Sequence, residues 1–475
     1  MNVSLKNNLQ SGYLLVLVLV FGAIFLTILM GFISFIYSQS RVVTQRVQLE
    51  QAGNIAEAGL NYYRWFLAHY PDDVTNGTGA PGPYVEVYTD PAGNAIGEYS
   101  LDIESTEFCG DVSTITVHST GYTYENPSVK RTISASYRRP TVADYSFIIN
   151  QNVWAGDSRV ITGPYHSNGG IRMDGQNNSQ VTSMLGTWTC TDSFGCSPAT
   201  TKPGVFSTES HSRPELFSYP VPQINFGNFK YDLLSMKEKA INNGGLFLPA
   251  SNKEGYEITI NGDDIEVYRV VKTHSYYGLS VNDLKNYQLE DNVIKNKNVV
   301  PNKDFDPSCP IIFVEDRVWL KGNLNDRVTL IASNQSDTSK KPSIILQGNI
   351  TYNNPDAGLL ALAESNVLIG VNVPNNLYLN GIFIAKEGYY GRNHYTASHL
   401  SSIGMSAYVF RNSENLNGTV VSNGQVGTQW TSSGVPVSGF YNRYNTFDRN
   451  LAENPPALTP RISEVYQFLD WRDAR

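Results

Sequence analysis

The sequence predicts an α+β chain in two parts. A long N-terminal helix packs on a small antiparallel sheet, and a mainly-β domain follows, built as a parallel β-helix with a β-sandwich as the alternative. Three observations predict this. No charged side chain occurs from Tyr13 to Gln39. An apolar stripe at helical spacing carries that run on to Leu67. Beyond it, short alternating segments end repeatedly in Gly, Asn or Asp, in a chain holding 39 Gly and 29 Tyr.

The helix comes first. At about 1.5 Å per residue the uncharged stretch from Tyr13 to Tyr37 is roughly 37 Å long, enough to cross a ~30 Å hydrocarbon core with tilt. It exceeds the 7 to 15 or so apolar residues of a secretory signal. Ser38-Gln39-Ser40 is an imperfect cleavage site, so a cut there is the alternative. A soluble cytoplasmic enzyme is excluded. Lys6 before the span and Arg41 and Arg46 after it do not set an orientation. Ala52, Ile55, Ala56, Gly59, Leu60, Tyr63, Phe66 and Leu67 then fall on one helical face, while Arg46, Glu50, Glu57, Asn61 and Arg64 fall off it. Pro71 ends the pattern, and Asn76 to Pro83 reads as a loop.

The small sheet follows. Tyr84 to Tyr88, Glu98 to Glu104, Ser113 to Ser119 and Val129 to Tyr137 alternate as strands do, and the helix stripe needs such a partner. The boundary of this part falls near Pro140, giving 84–140 for the sheet and 141–475 for the β-rich domain. In the latter, apolar-x-apolar-x-Gly recurs at Ile171-Met173-Gly175, Ile258-Ile260-Gly262, Val318-Leu320-Gly322, Ile344-Leu346-Gly348 and Leu377-Leu379-Gly381. Strands are densest from Val318 to Gly388: Val328 to Ala332, Ile344 to Tyr352, Leu359 to Ala363, Asn366 to Val371 and Leu377 to Lys386. Stacked rungs explain both the density and the glycine corners. A helical insertion near 229–245 spans Phe229 to Ile241 and stops at Asn243-Gly244-Gly245. Ile462 to Trp471 reads as a short closing helix.

Length, about three domains' worth at roughly 150 residues each, leaves room for several functions, and composition narrows them. The net charge of -8 argues against a nucleic-acid partner, since nothing offsets phosphate repulsion. Four cysteines lie beyond the apolar run and fit two disulfides outside the reducing cytoplasm. Cys190 with Cys196 forms a local staple; Cys109 with Cys309 is paired by elimination, with free thiols as the alternative. No Cys/His spacing suggests a metal, and no cofactor is implied. Asp263-Asp264 and Asp304-x-Asp306 suit Ca²⁺ chemically but lack a complete oxygen-ligand loop. His394 and His399 near Arg392 and Tyr395, with Glu364, Glu387 and Asp356 on neighbouring segments, form no catalytic signature, so no catalytic residue is assigned.

Ser11-Gly12 before Tyr13-Leu14-Leu15-Val16-Leu17-Val18-Leu19, with Ala56-Glu57-Ala58-Gly59-Leu60 some forty positions on, resembles the N-terminal region of type IV pilin-like proteins, above all the PilX-type minor pilins. Lys130 to Pro140 resembles the strand that closes this region in such proteins, and Tyr441 to Trp471 resembles their tail. The resemblance implies a leader over 1–12 removed by a prepilin peptidase between Gly12 and Tyr13, and a long helix over 13–70. It implies single-pass residence in the cytoplasmic (inner) membrane with the ectodomain outside, then assembly with other pilin subunits into an extracellular pilus. Tyr13 stands where phenylalanine is common, and Leu17 stands where major pilins carry a glutamate. That departure implies a minor subunit with a tip, priming or adhesive role, and the Tyr/Asn/Gly-rich surface suits glycans on other cells. The rival expectation is a stationary membrane-anchored β-helix protein that binds or cleaves carbohydrate.

Overall fold

The computed structural model describes residues 10–109, 111–227, 232–301, 303–432 and 434–474. Most of the 1–12 leader, the start of the 229–245 insertion and part of the helix expected from Phe229 lie outside them. Packing divides the chain into two units. The described residues of Met1–Glu104, Thr116–Ser136 and Phe468–Arg475 form the first; Ser105–Ile115 and Tyr137–Gln467 form the second. The division departs from a single cut near Pro140 at the tip of one hairpin and at the C-terminus.

The first unit is a helix on a sheet. One helix runs Gln10–His69, stopping two residues short of Pro71, where the ring would clash with the preceding turn. Its sheet places Tyr84–Thr89, Ala95–Phe108, Asp111–Thr123, Lys130–Arg138 and Gln467–Ala474 side by side in that order. The first two strands are antiparallel. Cross-strand pairs Thr116–Ser136, His118–Ser134 and Thr120–Thr132 step in opposite directions, so the third and fourth are antiparallel too. All eight stripe residues from Ala52 to Leu67 are buried, and the five assigned off the stripe are exposed. The C-terminal segment is a correction: Gln467–Ala474 is a strand, where a closing helix was expected. A segment of about ten residues gains little as a helix alone, whereas the Lys130–Arg138 strand offers it unpaired backbone groups and an Arg131–Asp473 ion pair at 2.9 Å.

The second unit is β-rich, and its long ladders are parallel. One ladder stacks Leu246–Leu248, Ile311–Val314, Arg327–Ala332, Gly358–Ala363, Asn376–Ala385 and Phe410–Ser422 in sequence order. It then continues with earlier residues, Phe147–Ile149, Tyr165–Ser167, Val181–Ser183 and Phe217–Ser218. The chain thus enters the stack part-way along and returns to fill the rest. A second ladder joins Gly255–Gly262, Val318–Leu324, Ile344–Tyr352, Val367–Ile369 and Tyr390–Gly391. A third runs from Asn376–Ala385 and Phe410–Ser422 through Val435–Thr446 and Arg159–Ile161 to Gln176–Asn177. Antiparallel pairing occurs in local hairpins, the longest formed by Asp264–Gly278 and Gln288–Val300. Inward residues such as Ile312, Leu330, Ile344, Leu359 and Phe383 share one apolar cluster, because side chains of aligned parallel rungs stack on their own kind.

Of the five glycine corners read from the sequence, Gly262, Gly322 and Gly381 have positive φ. Gly381 is aligned with Gly418 on the next rung, and a Cβ on Gly418 would lie 2.0 Å from the Gly381 carbonyl oxygen. The insertion helix is Leu233–Asn242. Asp232 caps it by accepting from the Ser235 N–H at 2.9 Å, and Leu233, Met236 and Ala240 are its buried face. Both cysteine pairs are bridged, Cys190–Cys196 and Cys109–Cys309, and the latter bridge lies within the second unit.

Candidate functional site

The N-terminal helix divides by surface chemistry. From Tyr13 to Tyr37 its large apolar side chains are all exposed, from 39% at Leu17 to 72% at Tyr13. It is long and apolar enough to cross a membrane. None of the described residues of the unit covers this surface, an apolar exposure of the kind that lipid or another protein would relieve. Gly12 and Tyr13 sit on one continuous helix with the rest of the span.

The Ala56-Glu57-Ala58-Gly59-Leu60 motif lies on the other part, and its pattern is decided by the sheet. Ala56, Gly59 and Leu60 are buried, Ala58 is half-buried, and Glu57 points to solvent. A Cβ on Gly59 would meet the Ser119 hydroxyl at 2.4 Å and the Tyr99 ring at 2.8 Å. From the sheet side, a Cβ on Gly121 would meet the Ala52 carbonyl at 2.3 Å and the Ala56 nitrogen at 2.5 Å. Small residues on both surfaces therefore bring helix backbone and strand backbone together, and the apolar side chains around them close the interface. The motif's first role is this intramolecular seam.

The polar residues singled out in the β-rich unit are tied into structure. Arg392 is fully buried, and its guanidinium donates to the carbonyls of Gly370, Val371 and Tyr408. Tyr395 donates to Glu290 at 3.1 Å and Asn393 donates to the other oxygen at 2.7 Å; burial pushes the Glu290 carboxyl above its ordinary range in spite of them. His394 hydrogen-bonds the Tyr287 hydroxyl at 2.7 Å, His399 stacks edge-on against the same ring at 4.4 Å, and burial lowers the His394 pKa. Glu364 accepts from Ser333 at 2.8 Å, Glu387 pairs with Lys341 and Lys386, and Asp356 lies in an exposed turn. These groups are brought into separate contacts, not into one catalytic constellation.

The paired aspartates are turn residues. Asp263 and Asp264 are exposed at a hairpin tip, and Asp306 accepts from the Ser308 N–H and hydroxyl at 2.8 and 2.7 Å, bonds that lower its pKa. Another group has no signature in the spacing of its residues: among the described residues, Asp157, Glu209 and His211 bring ligand atoms within 4.8 Å of one another. His211 Nε2 also meets the Asp174 carbonyl at 2.8 Å. Their donor atoms are of the kind that suits a divalent cation, though Asp157 and His211 are exposed.

No family model and no curated protein matches the chain. Among solved structures, it is similar to the crystal structure of the competence-associated pilin ComZ from Thermus thermophilus. The match covers 90% of this chain and 97% of that one at 14% identity, with a TM-score of 0.28. A superposition of that quality adds nothing to the architecture, which rests on the strand pairings above.

A cavity of about 770 Å³ in the second unit was also missed by sequence reasoning. Trp154, Trp430, His394, Gln429, Arg159 and Arg443 are on its wall. They come from segments up to 289 positions apart, from Trp154 to Arg443, and are brought together by the alignment of rungs, which the sequence pattern does not encode.

Proposed function

We propose that the chain is a minor subunit, with a tip, priming or adhesive role, of a type IV pilus or related filament. Before assembly it is held in the cytoplasmic membrane by its N-terminal helix. The carrying observation is the division of that helix, apolar and uncovered over Tyr13–Tyr37 and seated on its own sheet over Ala52–Leu67. Lipid satisfies the uncovered part before assembly and neighbouring helices satisfy it afterwards, so the transfer costs little hydrophobic free energy. A prepilin peptidase cuts between Gly12 and Tyr13. With Leu17 in place of an acid, no carboxylate pairs with a neighbour's new amino terminus, which favours a specialised subunit over a bulk repeat. The parallel ladders support reading the second unit as a β-helix, displayed outward toward surface glycans.

The mass of the cellular protein's N-terminus tests this reading. A chain beginning at Tyr13 is expected, and a bulky residue at Gly12 should abolish both the cut and filament incorporation. An intact Met1, or a cut near Ser40, would overturn it.

A further inference from the structure

Glu414, Arg443 and Arg159 occupy matching positions on three successive parallel strands, Phe410–Ser422, Val435–Thr446 and Arg159–Ile161. They are 1%, 6% and 4% exposed. Glu414 is already engaged by neutral donors, accepting from the Tyr390 hydroxyl at 2.9 Å and from the Thr428 hydroxyl at 2.7 Å. The same Thr428 oxygen accepts from Arg159 Nη2 at 3.3 Å. Arg443 Nη2 donates to Ser158 Oγ at 2.7 Å and Gln429 Oε1 at 3.0 Å. The Nε of each arginine has no partner.

Side chains aligned on adjacent rungs are about 5 Å apart, so two guanidiniums in register repel. One carboxylate offsets one of them, and a second buried positive charge is costly unless an anion completes it. Burial, and next the neighbouring Arg159, push the Arg443 pKa down to about 9, which still leaves it charged at neutral pH. Both arginines line the 770 Å³ cavity, a volume within the range of about 300 to 1,000 Å³ typical of small-molecule sites. Its indoles are fixed by their own N–H groups, Trp430 to the Arg392 carbonyl at 2.9 Å and Trp154 to Asp174 at 2.8 Å. Rigid aromatic walls, with the Gln429 amide on the same lining, suit the two-faced surface of a sugar ring, and the planar fork of arginine suits a carboxylate. Asp192 also lines the cavity but is exposed, so solvent screens it; the buried groups alone leave one excess positive charge, which matches a monoanion better than a phosphate dianion.

We propose that this cavity binds a carboxylate-bearing sugar, with Arg443 and Arg159 facing the carboxylate and the indoles flanking the ring. The inference deepens the glycan-directed part of the function proposed above. Its failure is distinguishable from failure of the filament reading, because N-terminal processing and sugar binding are measured separately.

The test titrates the full chain, in detergent micelles, with D-galacturonate, D-glucuronate and N-acetylneuraminate by calorimetry, against D-galactose and acetate. At least one acid sugar is expected to bind about tenfold or more tighter than both controls, and Arg443→Gln to weaken it at least about tenfold. Equal affinity for D-galactose would overturn the role of the arginines, equal affinity for acetate the role of the ring, and no preference among the three acids over the controls the whole proposal. If R443Q does not fold, Gln429→Ala, which removes an acceptor orienting Arg443, is expected to weaken the same sugar; undiminished binding there counts against the site.

Discussion

Placing a methyl group at Gly121 would separate the long helix from its sheet. The Cβ of Gly121→Ala would stand 2.3 Å from the Ala52 carbonyl oxygen and 2.5 Å from the Ala56 nitrogen, both backbone atoms that no rotamer change can move. Restoring ordinary contact needs about 1 Å of local lift, and a gap of that size forfeits roughly a quarter to a half of each dispersion contact across the seam. The affected surface includes Ile55, Leu60, Tyr63, Phe66 and Leu67, all buried. Overpacking of this kind costs about 2 to 3 kcal/mol. Amides of Ala52–Leu67, which open by undocking, should then exchange about 30- to 160-fold faster by hydrogen exchange mass spectrometry. Gly31→Ala is the control: its Cβ meets nothing within 4 Å, and alanine raises helix propensity, so exchange over Ala52–Leu67 should be unchanged. Wild-type exchange in G121A would refute the close-approach argument.

Two further outcomes follow from the β-rich unit. Removing the Cys109–Cys309 bridge, which closes a separation of 200 residues, should destabilise that unit by about 5 kcal/mol, against about 2 kcal/mol for Cys190–Cys196 with its separation of 6. Melting temperatures of C109S/C309S and C190S/C196S variants should therefore fall unequally, and the reverse order would contradict the loop-entropy reasoning. Burial alone would raise the Glu257 pKa, but hydrogen bonds from Lys297 and Lys321 outweigh it and hold the carboxyl below its unfolded value of 4.5. The stability it contributes is thus complete above that value and lost as pH falls through the folded pKa. Glu257→Gln should cost about 1 to 3 kcal/mol at pH 7 and much less near pH 3; a loss in urea titrations that does not shrink with acid would contradict this.

Local regularities were legible in the sequence. The helix stripe from Ala52 to Leu67 was readable because a 3.6-residue period is a property of neighbours along the chain, and the same holds for Ile344–Tyr352, whose strand bounds match the sequence reading. Segment 462–471 was misread because ten residues of mixed apolar and charged character fit either state, and the deciding fact is an open sheet edge supplied more than 300 residues earlier. The stacking order was hidden for a related reason. Phe147–Ile149 follows Phe410–Ser422 in the ladder, and no periodicity records which rung lies beside which.

That hidden order is what creates the most unusual chemistry in the molecule. Read along the chain, Arg159, Glu414 and Arg443 are ordinary polar residues, and each would be assigned to a solvent-facing position. Only the return of the chain to its own beginning sets them on adjacent rungs and buries them. A stack selected for stability alone would be better served by apolar residues at all three places, since replacing buried charges of this kind with hydrophobic ones is often neutral or stabilising by about 1 to 4 kcal/mol. The excess guanidinium is therefore a cost that packing does not explain. Its place on the wall of a cavity with two fixed indoles is what connects that cost to recognition of an anion.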